Sequence, residues 1–429
     1  MTTASYQIHL ALGTLLFWGV ACEVLWRIWP RIHPSLLSSN NHSKRIEGLR
    51  GLLASAVVIH HSACSLGLSL KGGWGVDSEF LMRMGSEPVR VFFAITGFLF
   101  WKKVLRDSQS SPWTFLRRRF ARLMPAYYVA LLLLFVICAV TAQSSDGLVS
   151  PEFSQDIARW LAVGLPFGKF PDLISSPHPW GMQTWQINAG VFWTLRWEWL
   201  FYCALALFLV LKTKISTWWL LGSAAFIGVV ARILPSELLE FPGVAFIRSA
   251  AMYTAGSFGP GMILAKMCSP TDKARDVDSN SPASRKTWGI VFLTQGIISA
   301  PFGRYELIYS ELTLLLCAVV FLTRIGDRIL TSRSLVGIGT ISYSVYLFHG
   351  MLLTLTRVLK PRLEVVFSEQ SLYWVAIAIV FGPILLMVSM LSYRFLERPF
   401  LGGRHSSGPK LAHNSTAMDN SRVKITKAA

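Results

Sequence analysis

The stretch RIEGLRGLLASAVVIHH, residues 45–61, sets the reading of the whole chain. From Gly51 onward it is apolar, as a membrane helix is. Yet it begins with Arg45, Glu47 and Arg50 and carries His60 and His61 where the bilayer is deep. An α-helix turns about 100° and rises about 1.5 Å per residue, so Arg50 and His61 lie within about 20° of one face and about 16 Å apart along the axis. Glu47 falls within about 40° of that stripe, whereas His60 lies about 80° from Arg50 and points elsewhere. Polar groups facing lipid are costly, so the stripe is expected to face the protein interior or a water-filled passage. An imidazole takes and returns a proton near neutral pH. His61 therefore suits general-base chemistry above a cationic mouth that holds an anionic donor. It suits equally a polar contact that ties two helices together.

Composition places that helix among many. Of 429 residues 52% are hydrophobic and 15% charged, against about 25% charged in soluble domains. The 16 tryptophans suit anchors at bilayer interfaces. A net charge of +18 could indicate nucleic acid, but the positive residues cluster in short loops between apolar runs, which excludes that partner and marks the positive-inside pattern. The six cysteines are scattered, without the spacing of a disulfide framework or a metal site.

Eleven stretches read as membrane-spanning: 8–28, 48–66, 87–104, 124–142, 191–211, 216–234, 244–265, 288–303, 307–323, 335–356 and 372–394. Each approaches the length needed to cross about 30 Å of hydrocarbon. The first is read as a span, not as a cleaved signal. The expected fold is an all-α polytopic bundle of about eleven transmembrane helices. Most of the 41 Lys and Arg fall on one side if the N-terminus is outside and the C-terminus cytoplasmic, as in a multi-pass protein of the cell (inner) membrane. Residues 143–190 form a long outer segment, 268–287 a flexible inner linker, and the chain from Gly402 a polar tail without structure. Asn41-His-Ser and Asn414-Ser-Thr match glycosylation acceptors but fall on the inner side, and are read as chance matches.

Other stretches carry chemistry. In FLRRRFARLMPAYY, 115–128, Arg119 and Arg122 are three apart and share a helix face. Guanidinium groups bind phosphate oxygens in pairs, although such a cluster also serves as a topology signal beside anionic lipid. In GVFWTLRWEWLFY, 190–202, Glu198 stands in an aromatic run, where a carboxylate is costly unless paired or protonated. It can orient an imidazole, meet an acceptor, or make a structural contact with Arg or Tyr. In ISYSVYLFHG, 341–350, Ser342, Tyr346 and His349 can share a polar face. Thr96-Gly97 reads as a small-residue helix contact. Glu397 and Arg398, before Pro399, read as structural.

In this order the stretches resemble the membrane acyltransferase-3 family, whose members acylate O-antigen, peptidoglycan, nodulation factors and macrolides. RIEGLRGLLASAVVIHH is similar to its opening helix, with a histidine eleven residues after an arginine. FFAITGFLF, RRFARLMP, WTLRWEWLFY, ISYSVYLFHG and FLERPF resemble its later blocks, so the resemblance covers about residues 45–400. It implies an acyltransferase of the kind that transfers groups other than aminoacyl groups, with a ten-helix core. It implies acyl-CoA, acetyl-CoA foremost, as a donor bound from the cytoplasm, no metal, and an acceptor hydroxyl on a glycan or lipid-linked saccharide at the cell surface. By position Arg50 and His61 match the family's arginine and histidine, and Arg119 and Arg122 its paired arginines. Glu198 and His349 match later positions. His61 and Glu198 are then the catalytic candidates, and Arg50, Arg119 and Arg122 the donor-binding ones. Glu47, His60, Tyr346 and His349 are further candidates.

The resemblance divides the chain into an additional N-terminal helix and linker, 1–44, the acyltransferase core, 45–400, and the tail, 401–429. Two features depart from it. The first helix is an addition that turns the N-terminus outside, and Arg196 stands where a small residue is expected. No soluble esterase-like domain follows the core, so transfer is expected to finish within the membrane portion. Two rival readings remain. Intramembrane His and Glu also serve proton-coupled transporters, although those carry paired broken helices in related halves. A non-catalytic partner in a polysaccharide assembly complex is the other.

Overall fold

A computed structural model describes residues 3–28, 41–106, 111–141, 153–163, 183–211, 217–267, 282–358 and 364–401. The tail from 402 and Asn414 lie outside these residues, as do much of the 143–190 segment and most of the 268–287 linker. Among the described residues there is helix and no strand. In chain order the helices are α1 Thr3–Ile28, α2 Asn41–Lys71, α3 Glu79–Arg106, α4 Pro112–Thr141, α5 Phe153–Leu161, α6 Thr184–Ile187 and α7 Trp193–Leu211. They continue as α8 Thr217–Ile233, α9 Ser236–Glu240, α10 Pro242–Tyr253, α11 Gly259–Met267, α12 Pro282–Ser299 and α13 Arg304–Leu322. The last six are α14 Asp327–Leu330, α15 Arg333–Thr340, α16 Ser342–Val358, α17 Glu364–Ser368, α18 Gln370–Ala376 and α19 Gly382–Ser392.

Within the described residues each of the eleven predicted stretches is mostly helical. Five helical stretches are long and apolar enough to cross a membrane: Tyr6–Arg27, Ser43–Lys71, Pro112–Val140, Trp193–Val210 and Gln370–Phe400. Arg333–Thr340 with Ser342–Thr356 adds a sixth if the pair counts as one span. Length and composition thus establish five or six of the eleven. The others are short, or carry charge, as α3 does with Arg83, Glu87 and Arg90.

The stretch 335–356, expected as one helix, is two helices bent by 77°. The cause is a close crossing with α2. A Cβ on Gly339 would lie 1.7 Å from the Glu47 carbonyl oxygen, and one on Gly51 would lie 2.1 Å from that of Leu335. Only hydrogen at these positions lets α15 lie across α2, and α16 must then turn to run beside it. The Thr96-Gly97 reading holds: a Cβ on Gly97 would sit 2.5 Å from the Phe258 carbonyl oxygen, where α3 meets the π-helical turn Thr254–Phe258.

Helix α2 is the axis of the molecule, packed by α3, α15 and α16. Two ion pairs between helices hold the frame. Arg45 of α2 meets Asp327 of α14 at 2.7 Å. Arg90 of α3 meets Glu306 of α13 through two bonds of 2.6 Å, a bidentate geometry that suits a partly buried pair. Helix α1 docks from outside onto α15 and α18. There Trp26 is fully buried over Gly337, and Glu23 accepts the Ser334 backbone N–H at 2.9 Å.

Candidate active site

A cavity of about 130 Å³ lies among α2, α3, α4, α7 and α16. Arg50 enters from α2, Arg119 and Arg122 from α4, Glu198 and Tyr202 from α7, and Ser342, Tyr343 and Tyr346 from α16. Helix α3 supplies an apolar wall that includes Phe92, Phe93, Leu99 and Phe100. Helix α4 begins well before the apolar run predicted from 124, so Arg119 and Arg122 stand on helix and face the cavity together.

The three half-buried arginines form no ion pair within 4.0 Å among the described residues. The Nε atoms of Arg119 and Arg122 are buried without a hydrogen-bond acceptor. The Arg119 guanidinium lies 4.8 Å from the centre of the Phe100 ring, a cation–π contact. Glu198, the cavity's one carboxylate, accepts a hydrogen bond from the Tyr202 hydroxyl one turn on. Three cations thus line the cavity beside one engaged carboxylate, none of them held in a direct ion pair, an arrangement that suits an anion.

Glu47 does not line the cavity. Its carboxylate accepts the Thr340 hydroxyl at 3.1 Å and lies in the field of Arg50 and Arg122. Glu397, read from the sequence as structural, is almost fully buried and accepts a hydrogen bond from Ser344. It too faces Arg122 and Arg50. Nothing in the local sequence FLERPF distinguishes a helix-end carboxylate from one folded beneath two arginines on other helices. Arg196 lies over the Trp197 ring, 4.8 Å from its centre, and is not part of the cavity wall.

His61, expected to share one passage with Arg50, is not among the residues that line this cavity. The helical arithmetic put both on one face of α2, but α16 packs over the upper part of that face. Tyr346 of α16 lines the cavity, and its ring centre is 6.0 Å from that of His349. His349 Nε2 is in turn 2.8 Å from His61 Nδ1, with the rings stacked at 5.0 Å. Neighbouring rings therefore lead from the cavity wall at Tyr346 through His349 to His61.

The hydrogen bonds assign the protons. His349 Nδ1 lies 3.1 Å from the Val345 carbonyl oxygen, which can only accept, so this nitrogen carries hydrogen. In a neutral imidazole Nε2 is then an acceptor, and His61 Nδ1–H donates to it. His61 is left with an unprotonated Nε2, which has no hydrogen-bond partner among the described residues. His349 and His60 are buried, while His61 keeps partial exposure.

His60 serves packing. Its Nδ1–H donates to the Leu81 carbonyl at 2.7 Å, and the Cys64 thiol donates to its Nε2 at 3.6 Å. Its ring presses on Gly85 of α3, where a Cβ would lie 2.4 Å from it. It touches the pair only by the edge of its ring, 4.8 Å from His61.

The fold is a helical membrane bundle with a cationic cavity joined to a histidine pair. Residues 43–393 match the family described as an acyltransferase domain, acyltransferase-3, and the chain belongs to that family. It is thus a multi-pass membrane protein of an acyltransferase family. No curated protein and no solved structure matches the chain.

Proposed function

We propose that the protein moves an acyl group, acetyl foremost, from acyl-CoA to a hydroxyl of a cell-surface glycan or lipid-linked saccharide. The observation that carries this reading is the hydrogen-bonded pair His61–His349 at the end of a side-chain path from three ion-pair-free arginines. The donor's phosphates occupy the region of Arg50, Arg119 and Arg122, reached from the cytoplasm. The arm that carries its thioester lies along Phe92, Phe93 and Phe100, and the thioester carbon passes Tyr346 toward the histidines.

His61 Nε2 removes the proton from the acceptor hydroxyl as its oxygen attacks the thioester carbonyl. Collapse of the tetrahedral intermediate breaks the C–S bond. The sulfur leaves as CoA thiol, taking the proton from the His61 imidazolium. His349 holds His61 in the one tautomer that can accept, as an orienting group does in a catalytic triad. Glu198 fixes Tyr202 and offsets part of the arginine charge.

The test is release of free thiol from acetyl-CoA by purified protein with cell-envelope acceptors. Wild type is expected to release thiol and acylate the acceptor. His61→Ala is expected to lose roughly 10²- to 10⁴-fold in rate at unchanged expression and melting temperature. Full activity in that variant removes His61 from the chemistry.

A further inference from the structure

On the side of His61 away from the arginines stand two tryptophans that no step above uses. The Trp74 ring centre is 6.3 Å from that of His61, and Trp185 meets Trp74 edge to face at 6.0 Å. Trp185 is 38% exposed and Trp74 half-buried. They come from separate segments, the 72–78 loop after α2 and the short helix α6.

Both segments are fastened to the helices that bear the histidines. A Cβ on Gly67 of α2 would lie 2.2 Å from the Gly75 carbonyl oxygen, so the loop carrying Trp74 folds back onto α2. A Cβ on Gly350, next to His349, would lie 2.3 Å from the Asn188 carbonyl carbon, so the turn after α6 presses on α16. Thr354 adds a hydrogen bond to the Ile187 carbonyl at 2.9 Å. The turn holds left-handed backbone at Ala189, φ 56°, and Gly190, φ 68°. Such a conformation at a residue with a side chain costs about 1–3 kcal/mol and persists only where its surroundings fix it.

We propose that Trp74 and Trp185 form the acceptor subsite, and that it takes a neutral, polyhydroxylated ring, a pyranose. This rests on the reading of His61 as the base and adds where the acceptor sits and what recognises it. Residues 183–192 carry no charge, and in the 72–77 loop Asp77 pairs with Lys71. Apart from that exposed pair, the two segments offer a charged acceptor no counter-charge. Gln183 accepts the Trp185 indole N–H, and Gln186 accepts the Gln183 backbone N–H at 2.7 Å. With their oxygens so engaged, both side chains present amide N–H donors. Aromatic faces beside neutral amide donors match the C–H faces and hydroxyl rim of a sugar. One rim hydroxyl would then lie at His61 Nε2.

The test is isothermal titration of the full-length protein in detergent, without acyl-CoA, with maltotetraose, chitotetraose and mannotetraose, and with choline and hexanol as cationic and apolar controls. At least one saccharide is expected to bind, and the controls are not. Trp185→Leu and Trp74→Leu are expected to weaken that binding by about tenfold or more, while Trp185→Phe, which keeps an aromatic face, restores most of it. Trp113→Leu, at an exposed tryptophan on α4, is expected to bind as wild type does. Equal melting temperatures show that the variants fold. Saccharide binding that is absent in wild type, unchanged in both Leu variants, or matched by choline or hexanol overturns the proposal. The thiol-release assay separates the two readings. Saccharide binding without thiol release keeps the subsite and rejects the transferase; thiol release with wild-type kinetics in both Leu variants does the reverse.

Discussion

At the residue scale the proposed chemistry depends on which ring nitrogen holds a proton. His349 spends its Nδ1–H on the Val345 carbonyl and offers Nε2 to His61. His349→Phe keeps a flat ring of similar size but leaves His61 Nδ1–H without an acceptor. It is expected to lower kcat by at least about tenfold, with the KM for acyl-CoA little changed, because orientation of the base is lost and not donor binding. An equal rise in KM would place His349 in the donor site. Arg122→Gln is expected to raise the KM for acyl-CoA roughly ten- to hundredfold, the worth of one charge-assisted hydrogen bond. The salt dependence of that KM should also become shallower, since one fewer cation is screened. Unchanged KM and salt slope would make Arg122 structural. The Arg50–His61 stripe was readable from spacing because it lies within one helix. The bond from His61 to His349 was not, since the partners are 288 residues apart and nothing local to either names the other.

At the scale of elements the site depends on close helix crossings. Gly339 lies against the Glu47 carbonyl with no room for a methyl group. Gly339→Ala is expected to cost about 1–3 kcal/mol, as overpacking does. A lower melting temperature should come with loss of activity, because α15 sets the direction of α16 and so the place of Tyr346 and His349. A variant as stable and active as wild type would show that the crossing is loose. Apolar length found these helices but not the 77° bend, because hydropathy counts residues and does not record that two backbones touch. The same blindness applies to the starts of α2 and α4. The predicted membrane stretches begin at 48 and 124, past the charged residues, whereas the helices that contain them begin at Asn41 and Pro112.

At the scale of the whole molecule the two working ends differ in charge. One gathers Arg50, Arg119 and Arg122 in a cavity, and the other presents Trp74 and Trp185 in neutral segments. If the N-terminus is outside, as the charge pattern of the loops predicts, the cationic end faces the cytoplasm and the tryptophan end faces out. A cysteine placed by Gly73→Cys is then expected to react with an impermeant maleimide on intact cells, and one placed by Arg118→Cys only after permeabilisation. The opposite pattern would invert the orientation and detach the arginines from the cytosolic donor. The sequence by itself determined the helical membrane class, the family, and the residue types at Arg50, His61, Arg119, Arg122 and Glu198, because period, apolar length and motif order are local properties. Only the tertiary structure decided that Arg50 and Tyr346 line one cavity and that His349, beside Tyr346, meets His61. It alone brought Glu397 beneath the arginines and Trp185 to Trp74. Those relations join helices far apart in the chain, and their distances are set by which side chains are small enough for backbones to meet.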